Sequence, residues 1–314
     1  MAYKKKLVIL LSLIAVMTVT YILSAVFSYD RSNTRSSLYT WLDPKAAEKV
    51  SRIAVDNGYE QYELVKKNDQ WFIYFYGNEF PARKLRIEDF LSFFTARASW
   101  PVRSESASSH ERLGLGDDAA RITFYGEYSV ILDVLLGYYD TMGNDMYFRK
   151  VGLNEVRSGD GGIYAYIAGN LTGWYNLRLF PESADGSLTS SNVQKVTVYK
   201  EEETQVFARR SRTWDISGVT IANPDISEVE NYINFIINAE GDDFIDPELT
   251  AEYNFNHSRI VVELGNGKVT TINISEPDEV NKRYAKVSGS DLIFVIPLWV
   301  SLRLIREASS FEIL

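Results

Sequence analysis

Apolar residues recur at the spacing of an α-helix in two separate stretches of the chain. In each stretch, four apolar side chains stand at positions i, i+3, i+4 and i+7, which places them on one face of a helix. The first set is Ile87, Phe90, Leu91 and Phe94, and the second is Val229, Tyr232, Ile233 and Ile236. The pattern predicts helices over residues 86–97 and 228–238, and Ser227 followed by Glu230 indicates a capping box at the start of the second helix.

Shorter runs in which apolar and polar residues alternate lie between turn signals and predict β-strands. In the first half of the chain, these runs are residues 53–55, 62–66, 71–76, 121–125, 130–136, 146–150 and 163–167. In the second half, they are residues 196–200, 205–208, 214–216, 260–264, 269–274, 284–287 and 292–296. The pair Asn266 and Gly267 stands between two such runs and predicts a tight hairpin.

The order of strands, one helix and more strands occurs twice, and individual residues recur with it. The matched positions are Trp71 with Trp214, Pro81 with Pro224, and residues 174–178 with residues 299–303. We interpret the repeated tryptophans as core residues. The pattern predicts an α+β fold of two tandem, similar strand-helix-strand domains with largely antiparallel sheets, at residues 45–181 and 193–314. The linker between them, residues 182–192, is rich in Ser, Gly and Asp and lacks periodicity.

An uncharged and mostly apolar stretch spans residues 7–27. A helix needs about 20 such residues to cross a bilayer, and the apolar part of a cleavable signal peptide is shorter. The stretch predicts an uncleaved transmembrane anchor in the lipid bilayer, with a cleaved signal as the alternative. Because three lysines precede it, the positive-inside rule predicts a cytoplasmic tail at residues 1–6. The remainder of the chain is then extracytoplasmic, beginning with a juxtamembrane spacer at residues 28–44.

Composition narrows the range of partners. The net charge is −9, and the part beyond the anchor is more acidic still because the three lysines belong to the tail. Such a surface repels a polyphosphate chain, so no nucleic-acid binding is expected. The chain has no cysteine, which excludes a lipid-modified cysteine, a disulfide framework and a thiolate metal site.

A series of short motifs in the first half resembles one bacterial family. The motifs are Trp71-Phe72-Ile73, Pro81-Ala82, Ile87-Glu88-Asp89-Phe90-Leu91, Arg112-Leu113-Gly114-Leu115, Ile122-Thr123-Phe124, Met146-Tyr147-Phe148-Arg149 and Ile163-Tyr164. Together they resemble the family called domain of unknown function 4340, over most of residues 45–180 and more faintly over the second half. The second half lacks the Gly-Leu turn and has Tyr284-Ala285-Lys286 where the family has Tyr-Val-Arg.

This resemblance implies a location and an association. Members of the family are typically membrane-anchored extracytoplasmic proteins, often encoded beside an ATP-binding-cassette export system related to gliding-motility transport proteins. The family has no established catalytic residue that could be transferred to this chain.

Side chains that could carry chemistry are few. The two histidines, His110 and His257, occupy unrelated places in the repeats, and no nucleophile elbow, phosphate-binding loop or zinc-spaced histidine pair occurs. The acidic runs 140–145 and 240–248 lack the ligand spacing of a calcium loop, so we interpret them as solvated loops. We therefore assign no catalytic, cofactor-binding or metal-binding residue. A hydrolase would require carboxylates to gather with His110 or His257 in one cleft.

These observations predict a non-enzymatic, membrane-anchored extracytoplasmic protein. Its expected role is that of an accessory or interaction component in an envelope or ABC-transporter-associated assembly, with a protein partner in the membrane or envelope. The alternative is a cell-envelope glycan-binding module, because the chain has 20 tyrosines and 6 tryptophans and aromatic rings of this kind combine an apolar face with a polar edge.

Overall fold

A computed structural model describes residues 14, 16–21, 38–75, 77–169, 171–180, 188–200, 203–245 and 253–313. Within them, the chain is mostly antiparallel β-sheet with few helices. The strands of the first half are β1 Leu38–Tyr39, β2 Arg52–Asp56, β3 Gln61–Lys67, β4 Gln70–Phe75, β5 Asn78–Pro81, β6 Ala98–Ser99, β7 Val102–Ser104, β8 Ala120–Tyr125, β9 Val130–Tyr139, β10 Asp145–Lys150 and β11 Val156–Asp160. Those of the second half are β12 Val193–Lys200, β13 Glu203–Arg210, β14 Thr213–Ser217, β15 Asp243–Ile245, β16 Ser258–Leu264, β17 Val269–Ile274, β18 Arg283–Val287 and β19 Ile293–Ile296. The helices are α1 Pro44–Ala47, α2 Lys84–Thr95, α3 Tyr164–Ile167, α4 Ile226–Asn238 and α5 Leu298–Leu304.

The strands form two large sheets with the same internal order, while β1 and β6 pair as a separate ribbon. The order is β5-β4-β3-β2-β8-β9-β10-β11-β7 in the first sheet and β14-β13-β12-β16-β17-β18-β19-β15 in the second. In both sheets, a three-strand meander joins a four-strand meander through its first strand, and a strand that follows the long helix forms the far edge. The first sheet has β5 as an additional edge strand. The predicted duplication is confirmed at this level, as two similar antiparallel sheets.

Each long helix packs its apolar face on a sheet. The ring of Phe94 in α2 lies 4.9 Å from that of Phe124 in β8, and the ring of Tyr232 in α4 lies 5.5 Å from that of Phe207 in β13. The predicted apolar faces are buried, except for Leu91, which is partly exposed. Both helices begin two residues earlier than the apolar pattern indicates, because their first residues are polar or lie outside the buried face and leave no periodic signal.

The start of α4 differs from the predicted capping box. Asp225 is the N-cap, and its Oδ1 accepts hydrogen bonds from the backbone N–H groups of Ser227 at 2.9 Å and Glu228 at 3.3 Å. The Ser227 hydroxyl donates to the same oxygen at 2.7 Å. An aspartate is as strong an N-cap as a serine, so the earlier acceptor begins the helix and the Ser227 cap is wrong.

This cap should make the stability of α4 depend on pH. The hydrogen bond from Ser227, followed by the bond from the Glu228 backbone, holds the pKa of the Asp225 carboxyl below its usual value. The contribution of the ionised Asp225 cap to folding stability is therefore present above the pKa of the unfolded aspartate. It is lost as the pH falls through the lower pKa of the folded aspartate. We expect Asp225→Ala to lower the melting temperature at neutral pH, with a smaller difference in acid. Asp225→Asn is the control, because its neutral amide oxygen can cap the helix at either pH. A decrease in melting temperature for Asp225→Ala that is equally large at neutral and acidic pH would contradict the prediction.

The predicted strand at residues 163–167 is wrong. These residues form the end of a 3₁₀ turn and helix α3, and the strand of this region is β11, a few residues earlier. The Asp160 side chain accepts a hydrogen bond from the backbone N–H of Gly162 at 2.8 Å and so starts the turn. Ile163 and Ile167 are both buried, and a spacing of four residues fits a strand face and a helix face equally well. The other predicted strands overlap observed ones, and the hairpin is confirmed by β16 and β17, with Gly267 at a φ of 84°.

The pairing of residues 174–178 with residues 299–303 is also wrong. Trp174 follows a 3₁₀ turn at Leu171–Gly173, and its side chain is 1% exposed. Trp299 lies inside α5, and its side chain is 62% exposed. Two tryptophans that differ in both local structure and burial do not occupy equivalent positions of a repeat.

Backbone hydrogen bonds identify the residue that does correspond to Trp174. The Trp174 oxygen accepts a bond from the N–H of Arg83 at 2.7 Å, and the Phe311 oxygen accepts one from the N–H of Asp225 at 2.7 Å. Arg83 and Asp225 each precede the long helix of their repeat. Phe311 is buried and ends a 3₁₀ turn, as Trp174 directly follows one. Phe311 is therefore the counterpart of Trp174.

The chain packs as two compact units, residues 1–63 with 89–168 and residues 64–88 with 169–314. The second unit thus includes residues 64–88, which the predicted first domain of 45–181 contains. The predicted linker is described only from residue 188 onward, and the predicted anchor at 7–27 lies largely outside the described residues. The described part of that stretch, residues 14 and 16–21, has helical backbone. No helix in the described ranges is both long and apolar enough to cross a membrane.

Candidate functional site

A cavity of about 420 Å³ opens in the second unit, at the ends of three central strands of the sheet. It is lined by Lys200, His257, Arg283, Leu302, Ile305, Arg306, Glu307 and Ser310, which we call the basic pocket. Lys200 ends β12, His257 directly precedes β16, and Arg283 begins β18. The remaining residues follow one another around the end of α5. The volume lies within the range of small-molecule sites, about 300–1,000 Å³.

Two buried side chains fix the wall of the basic pocket that follows α5. The hydroxyl of Tyr232 donates to the backbone oxygen of Leu304 at 2.6 Å, and Nε2 of Gln205 donates to the backbone oxygen of Arg306 at 3.1 Å. Burial raises the pKa of the Tyr232 hydroxyl above its usual value, so the group remains a donor. The pocket wall is therefore held by the core of the sheet.

The guanidinium of Arg306 is committed to the protein itself. Its Nη1 donates to Oε2 of Glu228 at 3.2 Å, its Nε donates to the Ser310 hydroxyl at 3.1 Å, and its Nη2 donates to the Ser310 backbone oxygen at 3.2 Å. The same group lies 4.8 Å from the centre of the Phe311 ring. Arg306 thus places positive charge beside the pocket, but all three nitrogens of its guanidinium already bond to other groups of the protein.

The guanidinium of Arg283 is bonded less completely. Its Nη1 donates to the backbone oxygen of Ser275 at 3.1 Å, but its buried Nε has no hydrogen-bond partner among the described residues. Burial lowers the pKa of Arg283 from its usual value, although an arginine stays charged in a protein. The buried hydroxyl of Ser258, which stands opposite Lys200 in the ladder, likewise has no partner in the described part of the chain. Nη2 of Arg283, which makes no hydrogen bond to a described residue, is the nitrogen left for a ligand.

An apolar helix face adjoins the basic pocket. Leu298, Trp299 and Leu302 on α5 are exposed, and we call these three residues the α5 face. The ring of Trp299 lies 6.1 Å from that of Phe235, and the guanidinium of Arg303 lies 4.3 Å from the centre of the Phe235 ring. Leu302 belongs to both features, so the pocket and the helix face are continuous.

Among the described residues, neither histidine lies in a cluster of carboxylates. His110 contacts the backbone oxygen of Asn154 at 3.2 Å through Nε2, and His257 lines the basic pocket. Among the described lining residues, Glu307 alone has a carboxylate, and it pairs with Lys200. A base next to a single carboxylate that already neutralises a lysine is a poor arrangement for acid–base catalysis.

The described parts of the acidic runs are engaged in structural bonds. Glu240 lies between two arginines, with Oε2 at 3.2 Å from Nη2 of Arg83 and Oε1 at 3.3 Å from Nε of Arg178. Oδ1 of Asp140 accepts backbone bonds from its own loop, from Asn144 at 3.2 Å and Asp145 at 3.4 Å. Residues 246–248 of the second run lie outside the described residues. Within the described ranges, no group of three or more carboxylate or histidine side chains is placed to hold a metal ion.

The buried tryptophans limit the surface that could stack on a sugar. Trp71, Trp174 and Trp214 are all buried, as expected for core residues. The same interpretation placed Trp299 in the core, and there it is wrong because that residue is exposed. The α5 face is therefore the aromatic surface to consider. Sequence reasoning missed the basic pocket because its cations are separated by tens of residues and form no motif. The one available signal was a basic residue at the end of several strands in an acidic chain.

The chain was compared with known proteins at three levels. No family model, no characterised protein and no solved structure matches it. The resemblance to domain of unknown function 4340 therefore stays an expectation from short motifs, and the function has to be inferred from the chemistry of the basic pocket and the α5 face.

Proposed function

We propose that this protein is a non-enzymatic, membrane-anchored extracytoplasmic component of an envelope or transporter-associated assembly. In this proposal, residues 7–27 form the transmembrane anchor and residues 45–181 and 193–314 are tandem α+β domains. The apolar stretch and its flanking lysines support the location. Binding rather than catalysis is supported by the way the described acidic and basic groups pair with one another.

The observation that carries this proposal is the exposure of the α5 face. The opposite side of the helix, Val300, Ser301 and Leu304, is buried in the protein. Contiguous large apolar side chains on the surface of a soluble domain mark interaction sites. Tryptophan and arginine are the residue types enriched at energetic centres of protein interfaces, and here Trp299 and Arg303 both flank the Phe235 ring. The face fits a protein partner with a complementary apolar groove.

Co-purification from membranes extracted with mild detergent tests the proposal. We expect the wild-type protein to retain a permease or another envelope protein, identified by mass spectrometry. Trp299→Ala should weaken that association by about 30-fold, the factor for losing a central interface residue worth about 2 kcal/mol. Tyr59→Ala is the control, because it removes another highly exposed ring. Recovery of the wild-type protein alone, or equal partner recovery with both variants, would contradict the proposal.

A further inference from the structure

We propose that the basic pocket binds a phosphate group, as the free dianion or as a monoester, with Lys200 and Arg283 as its direct ligands. Glu307 is the carboxylate that the phosphate displaces from Lys200. This inference is independent of the proposed function, because it concerns the chemistry of one pocket and not the location or partner of the protein.

Arg283 provides the first part of the argument. A guanidinium has five N–H donors in a planar fork that matches phosphate oxygens. Among the described residues, Arg283 uses one nitrogen, Nη1, in a bond to Ser275. Its Nε is buried without a partner in the described chain. That atom has almost no accessible surface, so a ligand in the pocket cannot reach it. The nitrogen left for an anion is Nη2, which makes no hydrogen bond to a described residue.

Lys200 provides the second part. Its side chain is 22% exposed, whereas the Glu307 side chain that pairs with it is 64% exposed. The lysine is thus held within the pocket wall, and the glutamate reaches it from the solvent side. A partly exposed ion pair contributes little net stability, so a dianion can replace the Glu307 carboxylate at small cost.

Charge and size select the ligand class. Arg306 is already paired with Glu228, so Lys200 and Arg283 are the cations of the pocket that a ligand can use. Once Glu307 is displaced, two cations match a phosphate dianion better than a carboxylate. The cavity of about 420 Å³ admits a phosphate with a small attached group. The chain as a whole carries −9, which opposes a long polyanion. The pocket therefore suits a compact phosphate group.

Isothermal titration of the full-length protein with inorganic phosphate tests this assignment, with acetate as the second probe. We expect phosphate to bind and acetate to bind at least tenfold more weakly, because acetate has half the charge and fewer acceptor oxygens. Equal affinity for the two anions would overturn the phosphate assignment. Absence of binding for both inorganic phosphate and phosphatidic acid would overturn the site.

Four variants locate the binding. Lys200→Gln and Arg283→Gln should each weaken phosphate binding by about 10- to 100-fold, as expected for loss of a charged hydrogen bond. Glu307→Gln should tighten binding by about two- to fivefold, because the competing carboxylate is gone. Lys195→Gln is the matched control, since Lys195 lies on the same strand and pairs with Glu263 at 3.0 Å. Wild-type affinity in both Lys200→Gln and Arg283→Gln would overturn the site, and equal melting temperatures establish that the variants are folded.

A lipid titration distinguishes the two sources of a phosphate group. Full-length protein in detergent is titrated with a water-soluble, short-chain phosphatidic acid and with the matching phosphatidylcholine, because the proposed anchor would carry the protein into any vesicle. Binding that requires phosphatidic acid and is lost in Lys200→Gln assigns a lipid headgroup. Binding of inorganic phosphate without a preference for phosphatidic acid assigns a soluble phosphate compound. Binding of phosphatidic acid that survives in both Lys200→Gln and Arg283→Gln would exclude the pocket as its cause.

Discussion

Replacing Phe311 by alanine is expected to lower the free energy of unfolding by about 3–5 kcal/mol, the usual cost of removing a buried phenylalanine. The Phe311 ring is fully buried and lies 5.2 Å from the ring of Phe207 and 5.0 Å from that of Tyr232. It also supports the guanidinium of Arg306 on one face. Its loss leaves a cavity between the long helix and the sheet of the second repeat, and urea unfolding followed by circular dichroism measures the effect.

Trp299→Ala is the matched comparison for Phe311→Ala. A mostly exposed side chain usually changes stability by no more than about 0.5 kcal/mol, although tryptophan is the larger of the two residues. The contrast therefore tests which residue corresponds to the buried Trp174. A loss for Trp299→Ala as large as that for Phe311→Ala would show that the tryptophans are equivalent after all and that the hydrogen-bond correspondence is accidental.

Trp71→Ala and Trp214→Ala are each expected to cost about 3–5 kcal/mol of stability. Both residues are the second position of the third strand of their meander, β4 and β14, and both are buried. The Trp214 ring also has the guanidinium of Arg209 at 4.6 Å from its centre. Burial of a large aromatic ring at the same place in each sheet is the energetic consequence of the duplication.

Denaturant unfolding of the two single variants measures this prediction. Tyr59→Ala serves as the control, because its ring is almost fully exposed and surface substitutions have small effects. A cost near that of Tyr59→Ala for either tryptophan would mean that its position is not part of a core, and the two sheets would then differ at the position where the repeat is most evident.

The spacing of apolar and polar residues was sufficient wherever it fitted only one type of secondary structure. The apolar faces of the two long helices, most strands and the Asn266–Gly267 hairpin follow from spacing, because each depends on neighbouring residues in the chain. The errors arose where the local sequence fitted two different structures equally well. Ile163 and Ile167 fit a strand and a helix, and Asp225 and Ser227 can each cap a helix. In both cases, a hydrogen bond that an aspartate side chain accepts from a backbone N–H decided the outcome.

The basic pocket could not be predicted from the sequence for a different reason. Its cationic side chains are Lys200, Arg283 and Arg306. They come from the end of one strand, the start of another and the segment after α5, so their proximity depends on the order of strands in the sheet. No local spacing encodes that order. The same reason applies to Trp174 and Phe311, whose correspondence rests on bonds to Arg83 and Asp225 far along the chain.

Periodicity and the recurrence of Trp71 at Trp214 were thus enough to establish two similar, mostly antiparallel sheets with a helix in each repeat, because amphipathic pattern is a local property of the chain. The final aromatic residue of each repeat, the exposure of Trp299 and the grouping of Lys200, Arg283 and Arg306 around one pocket were decided by the tertiary structure. These features depend on which distant segments pack together and on how far each side chain is removed from water. The free energy of that burial is set by the packed structure and not by neighbouring residues in the sequence.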